Sequence, residues 1–502
     1  MGQHSAELSS LQETFKLQSQ EAETCPESRS CLRGCVRWLG LVTVEPVMFL
    51  YMFAFMLTTV VEQAFFVHKA CRVNMNYSEH VCANLQNDSF ADENKKVQVI
   101  VSNFHQYNNI ASNTVPIFLA LVIGSWSDRR GRKLPLLVGL AGSFYYSAMV
   151  VVIALQASWP VEVVIYAASL PAAMTGLSMA IFMAAFSYIS DITTPQQRTI
   201  RVAILDVVYL ATMPTGVALG KYLFNITGRS YAIMFTLNAS LLAAAFLYAL
   251  MVLEWRTTPR QESESLASTN CCADLFDVHH VVESVRTIVK KRPEHRRTYL
   301  IIVLICMALY TFQRDEKPMG YLYTILKFKW TADEYSDYRT FQSAAYVIGT
   351  LLGVPIMNKV LGLRDTVMVL VGAAAHALAR VVFGLAEVPW LFYVGGTIVG
   401  LGPVAAPVLR SITSKLVPIS ERGKVFAVLS AADNAVPLFS AAIYTQVYNA
   451  TINTFPAAIF WVTFGSQMIV FILMLGIHLS LAGRRLEAEN DIAAIPPDDG
   501  IS

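Results

Sequence analysis

Two apolar runs of the sequence are separated by one short cationic stretch, Gly124-Ser-Trp-Ser-Asp-Arg-Arg-Gly-Arg-Lys133. Residues 117–123 before it and 134–155 after it are almost wholly apolar, as bilayer-spanning helices are, whereas its charges need water. A pair of spanning helices joined by a tight polar turn satisfies both demands, and glycine permits the sharp backbone that such a turn requires. We expect this turn to act in gating, through Gly124, Asp128, Arg129, Gly131 and Arg132.

The composition is typical of a membrane protein. The 502 residues are 55% hydrophobic and 15% charged, against about 25% charged residues in an ordinary soluble domain. The net charge is +2, so the composition does not predict a nucleic-acid partner. The sequence has no nucleophile elbow, no phosphate-binding loop and no zinc-protease motif. We therefore predict that the protein is not an enzyme, and that it uses no cofactor or metal.

Twelve apolar segments approach or exceed the length of about 20 residues that crosses a bilayer. Similar halves indicate a duplicated bundle. We expect an all-α fold of two six-helix bundles, residues 44–254 with an exterior loop at 67–104 and residues 298–481. A central cytosolic loop at 255–297 and cytosolic tails at 1–43 and 482–502 complete the prediction. The predicted spans are 44–66, 105–126, 134–155, 161–189, 202–224, 231–254, 298–326, 338–357, 366–386, 390–414, 425–447 and 457–481.

The distribution of basic residues predicts the orientation. Lys and Arg collect in alternate loops, which face the cytosol by the positive-inside rule, and both termini then lie in the cytosol. Glycosylation sequons agree, because Asn-x-Ser/Thr is modified only on the exterior side. Four sequons fall in predicted exterior segments, at Asn76, Asn87, Asn225 and Asn449. Of the eight cysteines, only Cys71 and Cys82 lie in an exterior loop, where a disulfide persists, and we expect them to pair.

Two ionisable residues inside predicted spans are the first candidates for function. A charge at the bilayer centre costs ~2.5–3.5 kcal/mol, so such a group normally faces a polar interior. Asp206 lies five residues beyond Arg201, which is ~8 Å along a helix. Desolvation at that depth favours proton binding, so Asp206 is a candidate proton site. Arg410 follows a Gly- and Pro-rich stretch in span 10, where it suits an anionic ligand or a titrating carboxylate. A structural ion pair is the alternative for each of them.

Further polar residues in the spans are weaker candidates. The polar patch of span 7 either forms part of a gate or ends the span, whereas Asp433 falls near the middle of span 11. Spans 2 and 9 carry residues that either line a cavity or only pack between helices. As proton-coupling or substrate residues we add Asp433, Gln313 and Asp315, and as cavity-lining residues His105, Asn109, Asn113, Arg314, Glu316, His376 and Arg380.

Several motifs together resemble a known family. The turn is similar to the loop between helices 2 and 3 of the major facilitator superfamily. More specifically, the sequence is similar to solute carrier family 46 from about residue 44 to residue 481. The motifs that carry this resemblance are Val44-Glu-Pro46, Trp126-Ser-Asp-x-x-Gly-Arg132, Arg198-Thr-x-Arg-x-Ala-x-Leu-Asp206 and Pro407-Val-Leu-Arg-x-x-x-Ser-Lys-Leu-Val417.

The resemblance implies a proton-coupled symporter of organic anions. It matches Asp206 to a proton-coupling glutamate of the family's folate carrier, and Arg410 to that carrier's span-10 arginine. Gln313 stands near the position of that carrier's span-7 histidine, and Gly176 corresponds to its span-4 aspartate. Both departures argue against folate itself as the substrate. The folate carrier bridges its first exterior loop to the loop after span 7. Here no cysteine follows Cys306, which favours a local pair between Cys71 and Cys82.

From the residues and the resemblance we expect alternating access with protons as the coupling ion. The expected partners are the lipid bilayer and a small organic anion, folate-like or muropeptide-like. Two alternatives stay open, namely a facilitative carrier that is independent of protons and a receptor or scaffold that does not transport. We expect the plasma membrane as the location, with the lysosomal membrane as the alternative.

Overall fold

A computed structural model describes residues 43–193, 195–258, 261, 286–287, 289–290, 292 and 295–481. The predicted tails, except residue 43, and most of the predicted central loop lie outside these described residues.

The described chain folds into twelve long helices, in the order of the twelve predicted spans. Ten of them are long and apolar enough to cross a membrane, and the predicted all-helical membrane fold is confirmed. Helices α1 to α6 are Glu45–Asn74, Ala91–Arg130, Lys133–Leu155, Val164–Ile192, Pro195–Ile226 and Tyr231–Val252. Helices α7 to α12 are Arg296–Phe328, Ala332–Val360, Asp365–Leu385, Pro389–Lys415, Ile419–Thr451 and Ala458–Ser480.

The other two long helices, α2 and α11, are more polar, and they pack against each other. Their polar side chains meet along this contact, where Tyr448 of α11 donates to Gln98 of α2 at 2.6 Å. A polar stripe that bonds to a neighbouring helix does not face lipid, and it lowers the mean hydropathy of both helices.

Each half of the chain has its own apolar core. Helices α1, α3, α4, α5 and α6 enclose one cluster, and helices α7 to α12 enclose another. Close approach of helices needs small residues at the contact. A Cβ added to Gly220 of α5 would lie 2.1 Å from the carbonyl oxygen of Leu57 in α1. Any larger residue at Gly220 would therefore push the two helices apart.

The stretch between α2 and α3 forms the predicted tight turn. Gly131 has a φ of +109°, and a Cβ there would lie 2.3 Å from the carbonyl oxygen of Trp255. Lys133 donates to the carbonyl oxygens of Leu250 and Leu253 at 2.7 Å each, at the end of α6. The turn is therefore anchored to the first bundle, and we call this end of the fold the turn end.

A disulfide marks the opposite end of the fold. Cys71, in the last turn of α1, is bonded to Cys82 with a Cα–Cα distance of 5.8 Å. The predicted pairing is confirmed. We call this end of the fold the disulfide end.

Helix α7 is interrupted in its middle. The segment Gln313–Asp315 forms a 3-10 turn between two α-helical parts. Three successive charged side chains at this break, Arg314, Asp315 and Glu316, face different neighbours, since successive residues of a helix are turned by about 100°. The break supplies charged groups both to the space between the bundles and to the interior of the second bundle.

Candidate functional site

A cavity of about 1470 Å³ lies between the two bundles. It reaches the turn end, where Gly124 and Arg132 belong to its lining. The first bundle contributes a wall rich in methionine and aromatic residues, while the second bundle contributes most of the charged groups. The apolar wall includes Met52, Met56, Met179, Met183, Met213, Phe55, Phe182, Phe186 and Tyr209.

The disulfide end of the cavity is closed by contacts between α2 and α11. Asn449 of α11 donates to Asn103 of α2 at 2.8 Å, and Thr445 donates to the carbonyl oxygen of Ser102 at 3.1 Å. These bonds join the two bundles through side chains that the bilayer would otherwise leave unsatisfied.

A second seam, between α5 and α8, adds ion pairs at the same end. Lys221 contacts Asp337 at 2.6 Å, and Arg229 contacts Asp333 at 2.5 Å. Asn225 also donates to Asp333, at 3.0 Å. The structure is thus closed at the disulfide end, while the cavity extends to the turn end.

Asp206 and Arg410 come from opposite bundles and line the same cavity. Both side chains are exposed to it, and the guanidinium of Arg410 acts electrostatically on the carboxylate of Asp206. Arg410 also lies 4.0 Å from Asp433, which accepts a hydrogen bond from Thr311 at 2.8 Å. The structure therefore brings together three predicted residues, Asp206, Arg410 and Asp433.

The break in α7 places two more basic side chains, Arg314 and Lys317, at the cavity. Neither forms an ion pair with a carboxylate within the described chain. Asp315 also belongs to the lining, and it accepts hydrogen bonds from Ser440 and, at 3.3 Å, from Asn109. The cavity thus has cationic groups that are available to an anion, while Asp315 is already bound by neutral donors.

Four predicted residues are absent from the cavity lining and lie inside the second bundle. Arg380 pairs with Glu316 at 3.1 Å, and their side chains are only 4% and 8% exposed. Arg380 also donates to Gln313 at 3.1 Å and contacts His376 at 3.0 Å. The expectation of cavity-lining roles for Glu316, His376 and Arg380 thus differs from the structure. The network satisfies itself within one bundle, which is a structural role.

The predicted polar stripe of α2 is divided. His105 and Asn109 line the cavity. Asn113 is not part of the lining, and its amide donates to the carbonyl oxygen of Asn109 at 2.9 Å. The helical period explains the difference, since four residues turn a side chain by slightly more than one full turn.

Within the gating turn, Arg132 pairs with Asp191 at the end of α4, at 3.0 Å. It also donates to Ser127 at 2.7 Å. The side chains of Asp128 and Arg129 lie outside the described residues. The gating role of this turn stays a prediction.

The four sequons occupy two kinds of place. Asn76 and Asn87 are exposed near the disulfide. Asn225 and Asn449 donate their amides across the seams between the bundles.

Sequence reasoning missed Glu62 and Tyr146, both of which line the cavity. Glu62 is an ionisable residue within predicted span 1, and the same criterion selected Asp206. It was therefore sufficient to find Glu62. Tyr146 of α3 donates a hydrogen bond to Glu62 of α1. The sequence alone does not show which residues of different spans are in contact.

Comparisons with known proteins agree with this architecture. Residues 109–336 match the family model described as Major Facilitator Superfamily. A probable peptidoglycan muropeptide transporter of Drosophila melanogaster is 26% identical, covering 83% of this chain and 82% of the relative. The proton-coupled folate transporter of Rattus norvegicus is 26% identical, with 82% and 86% covered. A lysosomal proton-coupled steroid conjugate and bile acid symporter of Gallus gallus is 25% identical, with 83% and 89% covered.

Solved structures share the fold. A human organic anion transporter superposes with a TM-score of 0.58 at 16% identity, covering 86% of this chain and 98% of the other. A D-xylose–proton symporter gives 0.57 at 16% identity, with 89% and 97% covered. These relatives and neighbours are transporters and not enzymes. The chain is a multi-pass membrane protein that is similar to the major facilitator superfamily over residues 109–336 and to the carriers of solute carrier family 46 over most of its length.

Proposed function

We propose that the protein is a symporter that moves a proton together with an amphipathic organic anion. The observation that carries this proposal is the position of Asp206 and Arg410, on opposite bundles and at one cavity. A carboxylate and a guanidinium that belong to the two moving halves of an alternating-access carrier can link ligand binding to the motion of those halves.

The lining of the cavity supports an amphipathic anion. Methionine and aromatic side chains of the first bundle suit a large apolar body, since such residues adapt to varied shapes. Arg314, Lys317 and Arg410 suit the anionic group, because guanidinium and ammonium groups bind carboxylates, sulfates and phosphates. Relatives are named for steroid conjugates and bile acids, for folate and for muropeptides.

The balance of charge supports coupling to a proton. With no anion bound, the guanidinium of Arg410 lies 4.0 Å from the carboxylate of Asp433 and shares the cavity with the carboxylate of Asp206. An anion that binds Arg410 places a further negative charge near Asp206 and Asp433, and repulsion between like charges is strong in a medium of low dielectric constant. Protonation of Asp206 removes one of these charges. Proton and anion therefore bind together more readily than either binds alone.

Orientation and location belong to the same proposal. The positive-inside rule supports a cytosolic turn end and cytosolic termini. In that orientation the described state opens to the cytosol and is closed on the exterior side. The plasma membrane is our proposed location, and a lysosomal membrane would present the same acidic side to the disulfide end.

The test is uptake at acidic and neutral exterior pH by cells that express the protein at the surface. The probes are a radiolabelled bile acid, a folate and a muropeptide, each with and without a protonophore. We expect accumulation of at least one probe that is stimulated by acid and abolished by the protonophore. Uptake that equilibrates without accumulation and ignores the protonophore would establish a facilitative carrier. Absence of uptake and of binding for all three probes would contradict the proposal.

A further inference from the structure

The first bundle holds a second carboxylate at the cavity, that of Glu62 on α1. Its neighbour is Tyr146 of α3, whose hydroxyl donates to Oε1 of Glu62. Within the described chain, no Lys, Arg or His side chain forms an ion pair with Glu62. Glu62 therefore differs from Asp206, which has the guanidinium of Arg410 within electrostatic reach.

Glu62 and Asp206 lie at different depths of the same cavity. Glu45 and Arg201 lie near the starts of α1 and α5 and contact each other at 2.7 Å. This ion pair is therefore a common reference point for measuring depth along the two helices. Glu62 lies 17 residues beyond Glu45 and Asp206 lies five residues beyond Arg201. At 1.5 Å per residue these are ~26 Å and ~8 Å, so the two carboxylates are separated by ~18 Å along the bundle. Glu62 lies towards the closed disulfide end, and Asp206 lies towards the open turn end.

The surroundings of Glu62 favour a neutral carboxylic acid. An ionised carboxylate inside a membrane protein normally has a cation partner, because its charge is costly there. The hydroxyl of Tyr146 is a single neutral donor, and it leaves the charge uncompensated. A protonated Glu62 gains a hydrogen to donate.

Two lysines, one on α1 itself and one on the neighbouring α5, bind other partners and not Glu62. Lys69, further along α1, donates to the carbonyl oxygens of Ile153 and Gln156. Lys221 of α5 is paired with Asp337 of α8. The remaining titratable groups that face this cavity from neighbouring helices are His105 of α2, Tyr146 of α3, Asp206 and Tyr209 of α5, and Arg314, Asp315 and Lys317 of α7.

We propose that Glu62 is a second proton-binding residue of the carrier, at the exterior end of the pathway, and that Tyr146 is its positioning residue. This inference rests on the proposed proton-coupled function. When the disulfide end opens, hydronium transfers a proton to the carboxylate of Glu62 and leaves water. When the turn end is open, as in the described structure, the acid returns that proton to cytosolic water because the proton concentration there is lower than on the acidic exterior side. Glu62 takes up the proton from the exterior, while Asp206 couples proton binding to the anion.

Infrared difference spectroscopy tests this without a substrate. Purified protein in liposomes is compared at acidic and neutral pH, and the carbonyl stretch of protonated carboxylic acids is recorded. We expect Glu62→Gln to remove one component of this band, and Tyr146→Phe to shift the same component. Glu79→Gln serves as the control, because Glu79 is an exterior carboxylate with a side chain that is 68% exposed. If Glu62→Gln removed no component of the carbonyl band, the proposal would be overturned, whatever the result of the transport assays.

Transport of the accumulated probe separates a proton role from a structural one. We expect Glu62→Gln to abolish acid-driven accumulation while exchange of internal for external probe at equal pH continues. We expect Glu62→Asp to restore accumulation with a shifted pH profile. Unchanged accumulation in Glu62→Gln, or loss of exchange together with accumulation, would each overturn the inference. Failure of the wild-type protein to accumulate any probe would instead overturn the proposed function.

Discussion

The carboxylate of Asp206 and the guanidinium of Arg410 face one cavity from opposite bundles, which are the two halves that move against each other in the proposed alternating access. Both side chains are exposed to the cavity. A ligand that changes the charge at either residue therefore changes the electrostatic interaction between the two bundles.

Arg410 should be required for binding of the anion. We expect Arg410→Ala to weaken the apparent affinity for the accumulated probe by at least about tenfold, or ~1.4 kcal/mol. Arg410→Lys keeps the charge and loses the planar fork, so it should recover only part of the affinity. The measurement is the KM of uptake at fixed surface expression. Lys359→Ala, an exposed basic residue that does not line the cavity, is the control. Equal KM values for the wild type and Arg410→Ala would exclude this role.

The ion pair between Lys221 and Asp337 should bias the carrier towards the state closed at the disulfide end. The pair is partly exposed, so its loss should cost ~0.2–1 kcal/mol, or up to about fivefold in the equilibrium between states. Lys221→Asp should expose the cavity from the exterior, and Lys221→Asp with Asp337→Lys should reverse the effect. A cysteine placed at Ser102 or Asn103 and labelled by an impermeant reagent reports the exposure. Labelling that does not return to the wild-type rate in the swapped variant would contradict this gate.

The buried pair of Glu316 and Arg380 should be a stability element. Removing one partner of a buried ion pair costs about 3–5 kcal/mol, because the other charge is left uncompensated. We expect Glu316→Gln to lower the melting temperature in detergent markedly. Glu316→Leu with Arg380→Leu should be less damaging than either single Leu variant. A Glu316→Gln protein with wild-type thermal stability but altered pH dependence of uptake would show that the network serves proton coupling instead.

N-linked glycans should be carried by Asn76 and Asn87 alone. The amides of Asn225 and Asn449 donate across the seams between the bundles, and a glycan on either nitrogen would separate the seam. We expect Asn76→Gln with Asn87→Gln to migrate on gels like enzymatically deglycosylated wild-type protein. A residual glycosidase-sensitive shift in that double variant would place a glycan at Asn225 or Asn449.

The sequence predicts the fold well because membrane insertion imposes a simple rule on length and polarity. The helix order and the turn at Gly131 follow from that rule, and the pairing of Cys71 with Cys82 follows from their shared place in a predicted exterior loop. Asp206 and Arg410 are also found from the sequence, because an isolated charge in an apolar span is conspicuous.

The orientation of side chains around each helix is less predictable. Glu316 and Asp315 are adjacent, yet Glu316 points into the second bundle and Asp315 to the cavity. Successive residues of a helix are turned by about 100°, and the sequence does not show which of these directions faces the cavity. The partner of Glu62 was also beyond the sequence, since Tyr146 is 84 residues away.

The most direct test of the account measures the proton and the anion together. Proteoliposomes that contain an internal pH indicator receive the accumulated probe from outside, and uptake and internal acidification are recorded at once. For the wild-type protein we predict that the probe drives protons inward in proportion to its own uptake. For Asp206→Asn we predict residual uptake without linked acidification. An Asp206→Asn protein that carries protons with the anion in the wild-type ratio would contradict the coupling of Asp206 to Arg410.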